Sequence, residues 1–223
     1  MKIDNQEIIE EDLTTIEFKT RKGKPLKLFS SKDVFTPNTT TELLINAVKK
    51  TINSPARILD LGCGTGVVGL SLFLEGIVEE RICASDLSSS AVSCSQLNFK
   101  KYACKADVRC GSLFNPWEGL KFDVIIDDIS GISQDIALIS PWFGGVPCET
   151  GADGTDLLFN ILLNSSKYLM KDGCLFFPVL SLSNVDNILK FAKEKFASIE
   201  LIGRTEWPLP KELEQHMPLL KRL

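Results

Sequence analysis

Residues 58–70 read ILDLGCGTGVVGL and hold two glycine patterns in overlapping frames. From Gly64 the pattern is Gly-x-Gly-x-x-Gly, with Gly64, Gly66 and Gly69; from Asp60 it is Asp-x-Gly-x-Gly-x-Gly, with Gly62, Gly64 and Gly66. In both frames the glycines allow a strand to turn into a helix and a ligand to approach the backbone. The first frame would cradle an anionic pyrophosphate on N–H groups at a helix start. A carboxylate at Asp60 opposes that anion and favours a cation.

S-adenosylmethionine carries an ammonium and a sulfonium and no phosphate, so Asp60 is a suitable counter-charge for it, directly or through water. Asp86 ends the next apolar run, with Leu87 beside it, where either kind of cofactor needs a ribose-hydroxyl acceptor. On this reading Gly69 is simply a small residue inside the helix. A glycine-rich connection without a ligand is the alternative.

Asp127 and Asp128 close the run FDVIIDD, and Ser112 and Leu113 follow DVRCG. A displacement at a sulfonium mainly requires alignment and exclusion of water, and a base only if the nucleophile must shed a proton. Asp128 could accept that proton or orient its donor. Asp127 would then lie on the other side of the strand, toward the cofactor. Either aspartate could instead cap the turn that follows.

These residues need a frame. TIEFKT and PLKLFSS around RKGK predict a hairpin, and TELLINAVKK predicts a helix capped by Thr39, Thr40 or Thr41. Then come ARILDLG as a strand, VVGLSLFLEG as a helix, ERICASD as a strand, SSSAVSCSQLNFKKYA as a helix, and DVRCGSL and KFDVIIDDIS as strands. DGTDLLFNILLNSSKYLM reads as a helix, CLFFPVL as a strand, LSNVDNILKFAKEKF as a helix and SIELIGRTEW as a last strand. Short apolar strands alternating with helices predict an α/β fold, a doubly wound, mostly parallel Rossmann-like sheet with helices on both faces. Ligands bind beyond the carboxyl ends of such strands, where Asp60, Asp86, Ser112 and Asp127 fall. Residues 1–34 form a helix and hairpin appendage on this reading, and 35–223 the cofactor-binding domain.

Composition narrows the remaining choices. The 223 residues are 44% hydrophobic with a net charge of −4, enough for a full core and poor in the broad basic surface that grips nucleic acid. Lys19, Arg21, Lys22, Lys24 and Lys27 make one local exception, explained either by RNA contact or by a solvated hairpin edge. Seven cysteines without a C-x-x-C pair read as small buried thiols of a reducing compartment, and no window has the length of a membrane span, so the expected location is the cytoplasm. The single histidine, His216, supports neither a histidine triad nor a metal site.

The turn DLGCGTG with an acid ending the next strand resembles class I S-adenosylmethionine-dependent methyltransferases, from about Phe35 to Gly173. VFTPNTTTELL is further similar to the F-x-P-x-x-x-T-E segment of release-factor glutamine (HemK-type) methyltransferases, at Phe35, Pro37, Thr41 and Glu42. GADGTDLL resembles that group's GEDGLDLL at Gly151, Asp153, Gly154 and Asp156. Helix capping explains Thr41 and Glu42 equally well.

Two segments depart from the group. Gly111-Ser112-Leu113-Phe114 replaces Gly-Asp-Leu-Phe, leaving the Ser112 hydroxyl and backbone for adenine, and Asp128-Ile129-Ser130-Gly131 replaces Asn-Pro-Pro-Tyr. An acceptor remains at 128; the group's rigid turn and aromatic wall do not.

The resemblance implies methyl transfer from S-adenosylmethionine, with Asp60, Gly62, Gly64, Gly66, Asp86, Leu87, Ser112, Leu113, Asp127, Pro37 and Thr41 at the cofactor. Phe35, Asp128, Ile129, Ser130 and Trp142 would meet the acceptor, Asp128 being the catalytic candidate. Trp142 and Phe143 would form a substrate wall or anchor a long loop. The expected acceptor is a protein side chain or small molecule rather than nucleic acid; RNA and a non-catalytic cofactor-binding module are the alternatives.

Overall fold

A computed structural model of the chain describes residues 13–19, 24–129, 131–143 and 148–220. The described residues open with β1 (Thr14–Phe18) and β2 (Leu26–Ser30), paired antiparallel as the expected hairpin; the helix expected ahead of them lies outside the described residues. Next is α1 (Thr39–Thr51), whose buried Thr41, Leu44, Ile45 and Val48 follow helical spacing. Its cap is Asn38 rather than one of the threonines: the Asn38 side chain accepts from the Thr40 N–H, and the Thr41 hydroxyl oxygen accepts from the Asn38 N–H.

The alternating part runs β3 (Ile58–Leu61), α2 (Val67–Leu74), β4 (Ile82–Asp86), α3 (Ser89–Lys101), β5 (Ala106–Cys110) and β6 (Phe122–Asp127). After it come α4 (Gln134–Ile139), α5 (Asp156–Asn164), β7 (Leu169–Phe176), α6 (Val185–Lys195), α7 (Lys211–Glu214) and α8 (Met217–Leu220). The five later strands form a parallel sheet of order β5-β4-β3-β6-β7. The chain leaves β3 first to one side and later to the other, so the switch point, where ligands enter such sheets, lies between β3 and β6.

Strand alternation divides the core between two faces. Ile58, Ile82, Val124 and Ile126 pack with α1, α2 and the hairpin, whereas Leu59, Leu61 and Ile125 pack with Trp117 and α5. The hairpin is docked rather than loose. On α3, the buried Asn98 accepts from the Phe29 N–H at 2.7 Å and donates to the Phe29 carbonyl at 2.9 Å, occupying the place of a strand partner.

Three expectations change. SIELIGRTEW carries no strand: Ile202 packs on the core and Gly203 lies against Leu43 of α1, so the segment is held away from β7. Alternation makes a strand only where a sheet edge receives it. The helix expected over 153–170 stops at Asn164, where Asn164 and Ser165 bond back to carbonyls of their own turn, and β7 begins at Leu169 instead of Cys174. The early part of β7 was hidden by Lys171–Gly173, which sit in a register shift against β6. Finally, all seven cysteines are free, but only Cys63, Cys94 and Cys104 are buried and Cys110 is exposed. Among the described residues no helix is long and apolar enough to cross a membrane.

Candidate functional site

The connections after β3, β4 and β6 converge at one end of the sheet. Gly62, Gly64 and Gly66 all have left-handed backbone, with φ of +66°, +51° and +76°, so this turn is open only to glycine at low cost. A Cβ at Gly62 would also collide with Ile129, which brings the β3 turn against the segment after β6.

Asp60 lies beneath this turn, 0% exposed. Its Oδ2 accepts from the Gly69 N–H at 3.1 Å, one of the N–H groups that the first turn of α2 cannot pair within the helix. Gly69 is therefore more than a small helical residue: a Cβ there would sit 2.6 Å from Ile82 Cγ1, and the close helix–strand approach lets Asp60 reach the amide. Asp60 Oδ1 is buried without a hydrogen-bond partner. Asp86 Oδ2 accepts from the Gly64 N–H and its Oδ1 from the Ser88 N–H, both at 2.9 Å.

This pairing answers the overlap of the two glycine frames. Two amides that a pyrophosphate could use, those of Gly64 and Gly69, are already taken by carboxylates, and Asp60 leaves one buried acceptor unpaired. The arrangement fits a ligand that brings donors and positive charge.

Across the switch point lie two carboxylates on opposite faces: Asp127, the last residue of β6, and Asp128, which follows it. Asp127 is buried, and its Oδ1 accepts from the Ile129 N–H at 2.9 Å, which closes the turn. Asp128, on the face of Asp60, remains partly exposed, and its Oδ2 accepts from the Thr41 hydroxyl at 2.8 Å. Thr41 is thus committed to the helix cap and to Asp128. Burial lifts Asp127 and Asp128 to about 7; the Ile129 amide and the Thr41 hydroxyl respectively work against the rise, and the charge of Asp128 adds to it at Asp127. Asp60 is lifted to about 8, again by burial first, with the Gly69 amide opposing and the charges of Asp128, Asp86 and Asp127 adding.

The other anticipated residues are placed as follows. Leu87 is exposed after β4; Ser112 is exposed after β5, and Leu113 holds a strained left-handed backbone with φ of +46°. Pro37 is half-buried just before the Asn38 cap. Phe35 and Trp142 join an apolar cluster with Ile132, Ile136, Phe143 and Leu213, in which the Phe35 and Phe143 rings lie 5.4 Å apart. Ile129 is half-buried, and Ser130 lies outside the described residues. So do Arg21 and Lys22 of the basic hairpin; of its described cations, Lys19 pairs with Glu17 at 3.1 Å.

Two devices escaped sequence reasoning. Asn98 also donates to the Thr65 carbonyl at 2.9 Å, joining the hairpin to the glycine turn through one side chain. The GADGTD segment is a clasp: Ser133 Oγ donates to the Ala152 carbonyl at 2.7 Å, Gln134 N to the Gly151 carbonyl at 3.0 Å, and Thr155 and Asn184 donate to the Asp153 carboxylate. A Cβ at Gly154 would stand 2.6 Å from the Ile132 carbonyl carbon. The clasp fixes the segment that follows Asp128. Its motif match was visible, but not the partner it grips.

Residues 24–128, which include both the glycine turn and Asp128, match the family model of the methyltransferase small domain. This stretch is a methyltransferase small domain. It belongs to the class I S-adenosylmethionine-dependent superfamily. The chain is 30% identical over 135 residues to a ribosomal protein uL3 glutamine methyltransferase of Francisella tularensis, covering 57% of this chain and 42% of that one. It is 27% identical over 174 residues to a release factor glutamine methyltransferase of Thermosynechococcus vestitus, covering 70% and 57%. The chain thus spans about half the length of these curated relatives. The methyltransferase domain shares its fold with a 16S rRNA N2 methyltransferase of T. thermophilus, solved in complex with AdoMet and guanosine, at a TM-score of 0.68 and 17% identity over 87% of this chain and 48% of that one.

Proposed function

We propose that the protein binds S-adenosylmethionine and transfers its methyl group to a protein side chain or a small molecule. The observation that carries the cofactor assignment is the buried, unpaired Oδ1 of Asp60 beside a glycine turn where the Gly64 and Gly69 amides are held by carboxylates. Asp60 would take the ammonium, Asp86 the ribose hydroxyls through its remaining lone pairs, and Leu87, Ser112 and Leu113 the adenine side. When bound, the cofactor supplies an electrophilic methyl on a sulfonium.

The protein's own part is to align and to keep water out. Thr41 holds Asp128 from one side, the clasp fixes the segment beyond it, and Ile129 closes on the glycine turn. Asp128 stands where it can orient the acceptor or take its proton. Protein and RNA acceptors are both represented among the names of relatives. What supports the former is the net charge of −4 and the pairing of Lys19 with Glu17 in the hairpin.

Calorimetry tests the cofactor: binding of S-adenosylmethionine and none of NAD is expected, and Asp86→Ala should cost on the order of 1.5–3 kcal/mol of that affinity. NAD binding without S-adenosylmethionine binding overturns the reading. Labelled-methyl transfer into extracts treated with protease or nuclease tests the acceptor class. Label that survives protease and is lost to nuclease would make RNA the acceptor.

A further inference from the structure

Asp127 and Asp128 are adjacent carboxylates at the end of a central strand, with Asp60 and Asp86 across the switch point. The ion pairs among the described residues lie elsewhere, between Lys19 and Glu17, Lys49 and Glu75, Arg109 and Asp107, and Arg204 and Glu206. No lysine, arginine or histidine among the described residues offsets Asp127 or Asp128. Carboxylates without a counter-charge are costly to ionise in such surroundings, and a cationic ligand would offset that cost.

The bound cofactor would answer part of this charge, at Asp60. It would not answer Asp128, which is held by Thr41 on one oxygen, leaves Oδ1 for another donor and is the partly exposed member of the pair. Three residues on, a side chain built onto Gly131 would meet nothing within 4 Å, so that position leaves room. A neutral planar amide gains little from such surroundings. A compact cation gains both the charge and the space.

We infer that the methyl acceptor is an aliphatic amine that arrives protonated, as a lysine side chain, an amino terminus or a small-molecule amine, and is bound and deprotonated by Asp128. The inference rests on the methyl-transfer reading above. One N–H proton passes to the Asp128 carboxylate, and the freed nitrogen lone pair forms the new N–C bond while the methyl C–S bond breaks with its electron pair left on sulfur. The products are an N-methylammonium, S-adenosylhomocysteine and a protonated Asp128, which returns its proton to water. Burial lifts Asp128 to about 7, nearer to the range of an amine than an ordinary carboxylate is. A guanidinium holds its protons too tightly for this exchange.

The test has two arms. In the first, the protein and label-bearing S-adenosylmethionine are incubated with an extract, and the methylated atom is located by mass spectrometry. A methyl on a lysine, an amino terminus or a small amine supports the inference, protease sensitivity separating the protein source from the small one. A methyl on a carboxamide, a ring nitrogen or a nucleobase overturns it while leaving methyl transfer intact. No transfer into any fraction, with cofactor binding retained, overturns both.

The second arm measures binding by ligand-observed NMR on protein saturated with S-adenosylhomocysteine, using n-butylammonium and propionamide as side-chain mimics. The ammonium should bind more tightly than the amide and lose about tenfold or more in affinity in Asp128→Asn, with S-adenosylhomocysteine affinity held. Equal binding of the two mimics, or an ammonium affinity indifferent to the change, overturns the inference.

Discussion

Thr41 and Asp128 are 87 residues apart in sequence and joined by a 2.8 Å hydrogen bond from the Thr41 hydroxyl to Asp128 Oδ2. The same hydroxyl accepts from the Asn38 N–H, so the cap of α1 and the carboxylate just after β6 share one oxygen. Thr41→Val should cost about 1–2 kcal/mol through the lost cap and the exposed acceptor, and lower methyl transfer with little change in cofactor affinity. Thr41→Ser, which keeps the hydroxyl, should restore transfer. Denaturant titration and single-turnover rates on both variants check this; a serine variant as slow as the valine one would argue against the hydroxyl.

Asp60, Asp127 and Asp128 have folded-state pKa values raised to about 8, 7 and 7 from 3.8. Between the ordinary and the raised values the folded state binds more protons than the unfolded one, so ligand-free stability falls as pH rises from about 4 to 8. Melting of the free protein should therefore come at lower temperature at pH 8.5 than at pH 6. A cationic cofactor favours the ionised carboxylates, so its affinity should rise over the same window, with protons released on binding. Calorimetry in buffers of different ionisation enthalpy measures that release; a pH-independent affinity would contradict it.

Asn98 is bonded to Phe29 on the hairpin and to Thr65 in the glycine turn. Asn98→Ala leaves buried backbone groups unpaired at both places and should cost about 2–3 kcal/mol of stability. Cofactor affinity should fall as well, and protease cleavage within the hairpin should accelerate. If affinity holds while the hairpin loosens, the two ends of this link are independent.

Gly154 has φ of +77° and packs on the Ile132–Ser133 backbone. Gly154→Ala should destabilise by about 2–4 kcal/mol, through the strained backbone and the forced shift of its neighbour. Because the clasp fixes the segment after Asp128, methyl transfer should drop further than cofactor binding does. A variant with wild-type transfer would remove the clasp from the argument about the site.

The sequence by itself determined the parallel sheet and the acidic rim along its carboxyl ends. Both rest on local physics: apolar runs of strand length, helical spacing, and glycines that only a tight turn requires. It also placed Asp60, Asp86 and Asp128 at or near the carboxyl ends of three different strands, which is enough to put them at one end of the sheet once the strands are parallel.

Tertiary structure decided what each of these groups touches. Nothing in the local pattern says that Asp60 spends one oxygen on Gly69 and leaves the other unpaired, that Thr41 reaches Asp128, or that Asn98 stands in for a strand. Such bonds join residues far apart in the chain, and side-chain polarity permits many partners before packing selects one. The last expected strand failed for the same reason: the alternation in SIELIGRTEW satisfied a local rule, while Ile202 and Gly203 pack toward the α1 side of the core and the segment pairs with neither edge of the sheet.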